Sequence, residues 1–514
     1  MEIVDTVRAW GTIPGMVRAR VREDPGAVVV ADGDTTLTMA DVAAQARDVA
    51  RGLLALGVGA GDRVGVLAPN GWQWVVVACG VWDAGAVIVP LSTRFRGAEL
   101  TGALRTTGVS VLLTCAHFRD TSYVAMLDGA DLPELRHVVV LDDGKGYPEL
   151  LRRGRHVPEA DAEARAAAVR PDDLCELLAT SGTTGAPKAV MLDHRQILRG
   201  YLEWSAIVTL RAGDRYPVVS PFSHGFGINA GLLACLMRGA TIVPVAVFDP
   251  DLLMDRFERL GVTVMAGPPA LFHRLLGVRP DAAALRVAIC GAAAVPPDLV
   301  RALLRAGVDR MINAYGLIEG TVVSMTRADD PVEVIAGTAG RAIPGVEIFI
   351  ADDDGKPLPA GTRGEVLVRG HGVMRGYWRD PERTAEAVDE DGRLRTGDIG
   401  ELDERGNLTI VDRKKDVIIV GGFSVYPAEV EALLLGHPAI AQAAVVAAPD
   451  ARLGEVGRAY VVARPGAEPD PDELTAWAKA NMSGFKVPRR FVVVDALPVT
   501  ANGKIDKVTL RGLG

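Results

Sequence analysis

The chain has 514 residues, of which 49% are apolar and 24% are charged, and its formal net charge is −9. This length exceeds the roughly 250–300 residues at which a single core stops growing, so two or more domains are expected. The apolar fraction excludes a disordered protein, and the negative charge argues against nucleic acid as the main partner. The five cysteines include no C-x-x-C pair and the eight histidines show no ligand spacing, which argues against a disulfide framework and a zinc site.

The amino terminus and the most apolar stretch predict a cytoplasmic protein without a membrane span. Residues 1–5 are acidic and lack the basic-then-apolar order of a signal peptide. The stretch from Trp74 to Leu91 contains Asp83 and Pro90. A buried helix followed by a buried strand therefore explains it better than a span of about 20 apolar residues.

The first third of the chain alternates apolar runs with amphipathic helices. A helix is expected from Asp41 to Leu56, because apolar residues recur there at helical spacing and Gly57 follows as a C-cap. Strands are expected at 63–67, 87–90 and 111–113. Strands that alternate with helices predict doubly wound α/β layers around a parallel sheet.

A run of hydroxyl and glycine residues lies between two apolar segments, 174–179 and 189–192. A glycine-rich backbone can turn its N–H groups toward an anion, and a lysine adds positive charge, so the run suits a polyphosphate. It is not a Walker A loop, because Pro187 precedes the lysine and Ala189 stands where Ser or Thr would hold magnesium. We predict a phosphate-binding hairpin formed by Thr180, Ser181, Gly182, Thr183, Thr184, Gly185 and Lys188.

Two segments after this hairpin are candidate ligand sites. His224 lies in Phe-Ser-His-Gly after an apolar run, where its imidazole can face a cleft; a purely structural histidine is the alternative. Strands are expected at 241–245, 262–266 and 285–290. The small residues Gly291, Ala292 and Ala293 follow the last of these strands, where they leave room for a flat ring.

A turn is expected at Tyr315-Gly316, and a carboxylate follows it. Glu319 is a candidate ligand for Mg²⁺, which takes one or two carboxylates together with substrate phosphates. The alternative is a solvated glutamate at the start of a helix.

Beyond residue 337 the chain becomes rich in glycine and in strand-forming residues. Strands are expected at 345–350, 364–368 and 408–411, and residues 396–398 are expected in a turn whose Asp398 accepts hydrogen bonds from a ribose diol. The charged run 412–416 suits a hinge between domains. A smaller α+β unit is expected after it, with a helix at 428–435 and strands at 417–420, near 442–447 and near 458–463.

The last part of the chain is basic. Residues 484–514 contain six basic and two acidic side chains. Asn502-Gly503-Lys504 has the composition of a tight turn that presents a lysine. The contrast with the acidic remainder favours an anionic ligand, and a solvated basic tail is the alternative.

Taken in chain order, these segments resemble the adenylate-forming superfamily, which includes acyl-CoA synthetases, adenylation domains and beetle luciferases. The resemblance covers essentially the whole chain and is closest to acyl-CoA ligases of the fatty-acid and steroid-side-chain type. It implies a large N-terminal adenylation domain, residues 1–411, with doubly wound α/β layers and a β-rich subdomain. A hinge at 412–416 and a small mobile α+β domain at 417–514 would follow.

The resemblance also implies a reaction. A carboxylate attacks the α-phosphate of Mg·ATP to give an acyl-adenylate and pyrophosphate, and the thiol of CoA then displaces AMP. Lys504 would bridge carboxylate and phosphate, Glu319 and Thr183 would bind Mg²⁺, and Lys415 would be the hinge residue. The other implied nucleotide contacts are the hairpin residues and Gly291, Ala292, Ala293, Asn313, Ala314, Tyr315, Gly316, Ile318, Asp398 and Arg413. The implied acyl pocket comprises Phe222, His224, Gly225, Asn229, Leu317 and Val323, and the implied CoA contacts are Gly422 and Lys486.

The sequence departs from the superfamily at two positions. Ile318 stands where a threonine hydroxyl usually meets the α-phosphate, and Ala189 replaces the usual glycine after the hairpin lysine. A hydrogen bond to a charged group contributes about 1.5–3 kcal/mol. Its loss therefore corresponds to roughly a ten- to hundredfold slower step.

The acyl pocket predicts an apolar acid. The Phe-Ser-His segment lacks the aspartate with which amino-acid-activating relatives bind an amine, so an amino acid is not expected. Glycines 225, 227 and 231 suggest space, and Val322, Val323 and Met325 suggest apolar walls. Asn229 either meets a polar substituent or is a buried, satisfied asparagine.

Alternative acceptors stay open. The acyl group can pass to a carrier-protein thiol, or the enzyme can activate nitrite for diazotisation of an arylamine. A third hypothesis is a nucleotide-binding regulator without catalysis, against which Lys188, Glu319, Asp398 and Lys504 all speak. A homodimer is also open.

Overall fold

The computed structural model describes residues 2–180, 188–278, 281–291, 295–420, 423–450, 452–482, 484–500 and 504–513. The chain divides into two compact units. The first comprises residues 1–348 and 368–394, and the second comprises residues 349–367 and 395–514. No helix in these described segments is both long and apolar enough to cross a membrane.

A seven-stranded, mostly parallel sheet forms the centre of the first unit. Its strands are, in spatial order, Gly376–Tyr377, Lys188–Asp193, Leu174–Thr180, Val87–Pro90, Arg63–Leu67, Val111–Thr114 and His137–Val140. Strand Lys188–Asp193 is antiparallel to both of its neighbours, whereas the others run parallel. The central strands are buried on both faces, which explains their continuous apolar runs.

Two further sheets complete the first unit. One contains Arg215–Val218, Thr241–Pro244, Val28–Asp32 and Thr35–Thr38, and the other contains Val264–Gly267, Val287–Gly291, Arg310–Leu317, Thr321–Met325 and Arg341–Ala342. A short hairpin joins His117–Phe118 to Thr121–Ser122. The first three strands of the five-stranded sheet are parallel, so their carboxyl ends lie along one edge.

Helices cover these sheets. They are Ile3–Trp10, Ile13–Glu23, Met39–Ala55, Trp72–Asp83, Gly97–Thr107, Gly146–Gly154, Glu159–Ala168, His194–Ile207, Ala234–Arg238, Pro250–Leu260, Pro269–Val278, Pro297–Arg305, Val332–Gly337 and Pro381–Ala387. Ala125–Leu127 is a 3₁₀ turn and Phe226–Leu233 is a π-helix. Thr38 and Asp41 form a capping box at the start of Met39–Ala55, which satisfies N–H groups that the helix itself leaves unpaired.

The second unit contains most of a four-stranded sheet and the C-terminal α+β unit. The four-stranded sheet has the order Val346–Ala351, Gly364–Gly370, Leu394–Leu402 and Leu408–Arg413, and the 3₁₀ turn Lys414–Asp416 follows it. The C-terminal sheet has the order Phe423–Val425, Ile418–Val420, Gly454–Ala463 and Ile440–Asp450, and Arg490–Val493 pairs with Gly454–Ala463. Its helices are Pro427–Leu434, Pro471–Asn481 and Lys507–Gly512.

The structure confirms the mixed α/β architecture and the hairpin between strands. The apolar stretch after residue 72 is indeed a buried helix, Trp72–Asp83, followed by a buried strand. Two expected turns are wrong. Residues 315 and 316 lie within strand Arg310–Leu317, and residues 396–398 lie within strand Leu394–Leu402.

The charged run at 412–416 is more regular than a linker. Asp412 and Arg413 are the last residues of a strand, and Arg413 pairs with Asp398 in the neighbouring strand. The division between the compact units falls between Leu394 and Arg395, earlier in the chain than the expected hinge. A hinge at Lys415 concerns motion and stays a prediction.

Substitutions at two glycines inside helices would show how tightly the first unit is packed. A Cβ on Gly80 would lie 2.6 Å from Val49 Cβ and 2.8 Å from the carbonyl oxygen of Ala46, whereas a Cβ on Gly102 meets nothing within 4 Å. We expect Gly80→Ala to lower the free energy of unfolding by about 1–3 kcal/mol or more through overpacking. Gly102→Ala should raise it by about 0.5–1 kcal/mol through helix propensity.

Denaturant unfolding of both variants beside the parent protein checks this pair. Equal effects of the two substitutions would contradict the packing described for Trp72–Asp83 against Met39–Ala55.

Candidate active site

Lys188 marks the end of the predicted phosphate hairpin. It is the first residue of its strand and pairs with Thr180, the last residue of the preceding strand. Ser181, Gly182, Thr183, Thr184 and Gly185 lie outside the described residues, so their contacts with phosphate and metal stay predictions. The Lys188 ammonium lies 4.6 Å from the centre of the Tyr377 ring, a cation–π contact that holds the charge beside the hairpin.

Tyr377 also connects Lys188 to the predicted metal ligand. Its hydroxyl donates a hydrogen bond to Glu319 Oε1 at 3.2 Å. Burial, reinforced by the Glu319 charge, raises the pKa of Tyr377 well above its ordinary value, so the hydroxyl keeps its proton. A half-buried carboxylate is a ligand of the kind that Mg²⁺ takes together with substrate phosphates, so the metal role of Glu319 stays a prediction.

His224 precedes the π-helix and has a defined tautomer. The backbone N–H of Phe226 donates to His224 Nδ1 at 3.2 Å. Because Nδ1 is an acceptor, the neutral ring carries its proton on Nε2. A π-helix places one extra residue in each turn and occurs often at functional sites, which agrees with the placement of the acyl pocket in this segment.

Asn70 fixes the segment that leads to His224. This role of Asn70 was not predicted from the sequence. Its Oδ1 accepts from the backbone N–H of Phe222 at 2.7 Å, and its Nδ2 donates to the carbonyl oxygens of Val218 and Ser220. The Phe222 side chain is buried against Trp74, with ring centres 5.3 Å apart. Asn70 lies about 150 positions earlier in the chain, so no local pattern predicts this clamp.

The glycines of the predicted acyl pocket do not all provide space. A Cβ on Gly231 would lie 2.5 Å from Val218, and a Cβ on Gly227 would collide with the carbonyl of Pro221. These two glycines therefore allow close packing of the π-helix, and the expectation of open space there is wrong. A Cβ on Gly225 would instead lie 3.3 Å from Leu178 and 4.0 Å from Ile318.

Asn229 forms a buried polar pair with Glu176. Asn229 Nδ2 donates to Glu176 Oε2 at 3.0 Å, and both side chains are almost completely inaccessible to solvent. Within the described part of the chain, Glu176 Oε1 and Asn229 Oδ1 have no hydrogen-bond partner. Burial raises the pKa of Glu176 to about 7, and the Asn229 amide opposes this. Glu176 lies in an apolar run and was missed from sequence.

The predicted adenine frame is partly described. Gly291 pairs with Ala314 across two parallel strands, so these two segments adjoin. The Asn313 side chain donates to the carbonyl oxygen of Thr338 at 2.8 Å, which makes a structural contact in addition to its predicted role. Ala292 and Ala293 lie outside the described residues.

The remaining acyl-pocket residues sit near a tight turn. A Cβ on Gly320 would lie 2.8 Å from Leu317 Cδ2 and 3.4 Å from Val323 Cγ2. Val323 is fully buried. The lining roles of Leu317 and Val323 stay predictions, as do the nucleotide contacts of Tyr315, Gly316 and Ile318.

In the second unit, Asp398 and Arg413 form an ion pair across neighbouring strands. Arg413 Nε lies 2.7 Å from Asp398 Oδ1. Asp398 is 3% exposed, while the Arg413 side chain is 44% exposed. A buried carboxylate held by an exposed guanidinium gives the fixed acceptor that the predicted ribose contact requires.

The charges of this ion pair act on Lys504, an exposed residue of the same unit. Partial desolvation lowers the pKa of its ammonium, the Arg413 charge lowers it further, and Asp398 acts in the opposite direction. Val499 bridges to Ile505 in antiparallel fashion, which fixes the backbone next to the lysine. The ion pair therefore influences a lysine that lies far from it in sequence. Asn502 and Gly503, which were expected to form the turn before this lysine, lie outside the described residues.

Lys486 has a clear partner. Its Nζ lies 2.6 Å from Glu429 Oε2, and Arg363 binds the other oxygen of the same carboxylate at 2.9 Å. Lys486 also lines an open concavity of about 510 Å³ together with Leu433. Gly422, the other predicted CoA contact, lies outside the described residues.

The buried Glu176 gives a test of pH dependence. Its folded pKa of about 7 lies above the ordinary value of 4.5, so its contribution to stability is complete below pH 4.5 and is lost as the pH rises through 7. Glu176→Gln keeps the shape and cannot ionise. We expect the stability of the variant relative to the parent to increase between pH 5 and pH 8, by on the order of 3 kcal/mol.

Denaturant unfolding of both proteins at the two pH values measures this difference. Glu163→Gln, at an exposed helix position, is the control and should show no such pH dependence. An unchanged difference between parent and Glu176→Gln would contradict a raised pKa.

Comparison with known proteins agrees with this geometry. Residues 17–378 match the family described as AMP-binding enzyme, and residues 429–504 match the AMP-binding enzyme C-terminal domain. The chain is 42% identical to a 3-[(3aS,4S,7aS)-7a-methyl-1,5-dioxo-octahydro-1H-inden-4-yl]propanoyl:CoA ligase of Rhodococcus jostii, over 97% of this chain and 98% of the relative. It is 43% identical to the ligase of the same name from Mycobacterium tuberculosis, over 98% and 99%.

A solved structure shows the same fold. ATP-bound MatB from Rhodopseudomonas palustris matches with a TM-score of 0.88 and 29% identity, over 98% of this chain and 99% of that chain. The resemblance drawn from the sequence motifs is thereby confirmed: the chain belongs to the AMP-binding enzyme family and is an adenylate-forming enzyme of the acyl-CoA synthetase type.

Proposed function

We propose that this protein is an AMP-forming ligase that joins a bulky, largely apolar alicyclic carboxylic acid to CoA. The observation that carries the proposal is the Asp398–Arg413 ion pair, because a buried carboxylate held 2.7 Å from a guanidinium is a fixed acceptor that suits a ribose diol; the charges of this pair also act on Lys504. The relatives that share 42–43% identity act on a propanoate attached to a fused two-ring system. This supports an alicyclic acid over a linear one.

Adenylation must bring two anions together, and this defines the roles of the residues. Lys188 and the hairpin bind the β- and γ-phosphates, and Asp398 with Arg413 binds the ribose. Lys504 places a positive charge between the carboxylate and the α-phosphate. Preorganised charges of this kind typically accelerate a step by roughly 10²–10³ per group.

Mg²⁺ fits the residues around Glu319. The Glu319 carboxylate already accepts from Tyr377 at Oε1 and lies in the same group as Lys188. A single protein carboxylate is sufficient because phosphates and waters complete the coordination of this ion. When bound, Mg²⁺ neutralises charge on the phosphate oxygens.

The acid-binding segment combines a protonated Nε2 on His224 with a buried Phe222. The absence of a carboxylate from the Phe-Ser-His segment disfavours an α-amine. Ile318 lies near Gly225, where it adds apolar surface in place of the hydroxyl that the superfamily usually has. An apolar ring system therefore suits this segment better than a charged substituent.

Pyrophosphate release across a panel of acids, with and without CoA, tests the proposal. We expect turnover with alicyclic propanoates and a requirement for CoA. Nitrite with an arylamine, and a carrier-protein thiol, are included because the Ile318 departure keeps these alternatives open. Turnover with either of these in place of the acid and CoA would contradict the proposal, and so would the absence of pyrophosphate release.

Lys504→Ala separates the two half-reactions. We expect adenylation to fall by roughly 10²–10³ or more, because the step loses its bridging charge. Thioester formation from supplied acyl-adenylate should stay largely intact. Stopped-flow or quenched measurements of each half-reaction provide the readout.

Lys479→Ala, at an exposed position of helix Pro471–Asn481, is the matched control and should leave both half-reactions unchanged. Equal loss of the two half-reactions in Lys504→Ala would show that the lysine has a different role.

A further inference from the structure

Four of the nine described residues that line a small cavity in the first unit are cationic. Its volume is about 280 Å³, just below the roughly 300–1,000 Å³ typical of ligand pockets. We call it the arginine cavity, and the lining residues that matter are Arg105, Lys188, Trp378, Arg379, Asp380 and Arg383. Four of these are cations and one is a carboxylate, so the cavity favours an anion.

The carboxylates near the cavity are already engaged. Asp380 caps the following helix by accepting from the backbone N–H of Arg383 at 3.1 Å, and its other oxygen lies 3.4 Å from the Arg383 guanidinium. Glu134 binds the Arg379 guanidinium through both oxygens, at 2.9 and 3.0 Å. It also binds Arg63. When Glu134 and Arg63 are added to the lining residues, this group still contains more cations than anions.

The backbone holds Arg379 in place. Its φ of 58° is in the left-handed region, which costs a non-glycine residue of order 1–3 kcal/mol. The two bonds to Glu134 and a guanidinium-to-ring distance of 5.6 Å from Trp378 fix the side chain further. Such strain persists only where the surroundings impose it, and it often accompanies ligand sites.

The Trp378 side chain forms one wall of the cavity. Its indole Nε1 is buried, so a ligand in the cavity does not reach it. The indole ring already carries the guanidinium groups of Arg63 and Arg379 at 5.5 and 5.6 Å, so a nucleobase is a poor candidate for stacking on it. A compact anion rich in acceptor oxygens fits these donors better.

Lys188 belongs both to the cavity and to the phosphate hairpin. We propose that the arginine cavity receives inorganic pyrophosphate, the leaving group of adenylation; this inference rests on the proposed function. In that step the carboxylate oxygen bonds to the α-phosphorus of ATP. The bond from the α-phosphorus to the bridging oxygen breaks, and pyrophosphate leaves with the bonding electron pair. The cavity accepts it next to the point where it is released.

Arg383→Gln tests the site in the full-length protein. Calorimetric titration with pyrophosphate, without acid or CoA, should show about a tenfold loss of affinity, equivalent to ~1.4 kcal/mol. The product-inhibition constant of pyrophosphate should rise by the same factor, while the KM for ATP changes less than twofold. Arg383→Lys keeps the charge and should recover most of the affinity, which excludes a folding defect as the cause.

Arg301→Gln is the matched control. Arg301 is 43% exposed and pairs with an aspartate three residues earlier, as Arg383 does at 36% exposure. It belongs to helix Pro297–Arg305 and does not line the cavity. Its pyrophosphate affinity should equal that of the parent.

Each contrary outcome has a distinct meaning. Equal pyrophosphate affinity in the parent and Arg383→Gln overturns the site. A parallel rise in the KM for ATP shows that the cavity holds the tail of bound ATP, and equally tight binding of inorganic phosphate shows a general anion site; both overturn a pyrophosphate site. If no acid supports pyrophosphate release but Arg383-dependent binding of pyrophosphate persists, the proposed function fails and the cavity stands.

Discussion

The pairing of the buried Asp398 carboxylate with the Arg413 guanidinium is the constraint on which the second unit depends. The two residues face each other in adjacent strands with Nε and Oδ1 2.7 Å apart. Neither the turn composition of residues 396–398 nor the charge of residues 412–416 favours a strand. The strand pairing and the ion pair nevertheless hold both segments in the extended conformation. The charges of Asp398 and Arg413 also shift the pKa of Lys504.

In the first unit, an aromatic side chain positions two charged groups. Tyr377 lies under the Lys188 ammonium and donates to the Glu319 carboxylate, so one side chain positions a cation and a carboxylate together. Both charges would otherwise be mobile on long side chains and would lose entropy on binding phosphate. The arginine cavity extends the same arrangement, because Trp378 and Arg379 follow Tyr377 directly in the chain.

The sequence predicts the regular layers well, because strands buried on both faces produce continuous apolar runs that alternate with helices. It also predicts the antiparallel pairing of the strands on either side of the hairpin, whereas the roles of Lys188, Glu319, Asp398 and Lys504 stay predictions drawn from short motifs. Long-range contacts are beyond such patterns. Asn70 reaches Phe222 across 152 positions, and Glu176 is hidden in an apolar strand until Asn229 is seen beside it. The packing of Gly227 and Gly231 against the segment before His224 is likewise evident only in the folded structure.

The π-helix Phe226–Leu233 has a consequence for how related enzymes can diverge. A π-turn differs from an α-turn by one inserted residue, and each residue rotates a helix face by about 100°. Loss of a single residue from this segment would restore the α-helical ladder, and the helix beyond it would largely keep its direction because the π-turns absorb the extra residue. One deletion would therefore change the face that this segment presents to the proposed acyl pocket, without any substitution among the residues proposed to bind ATP.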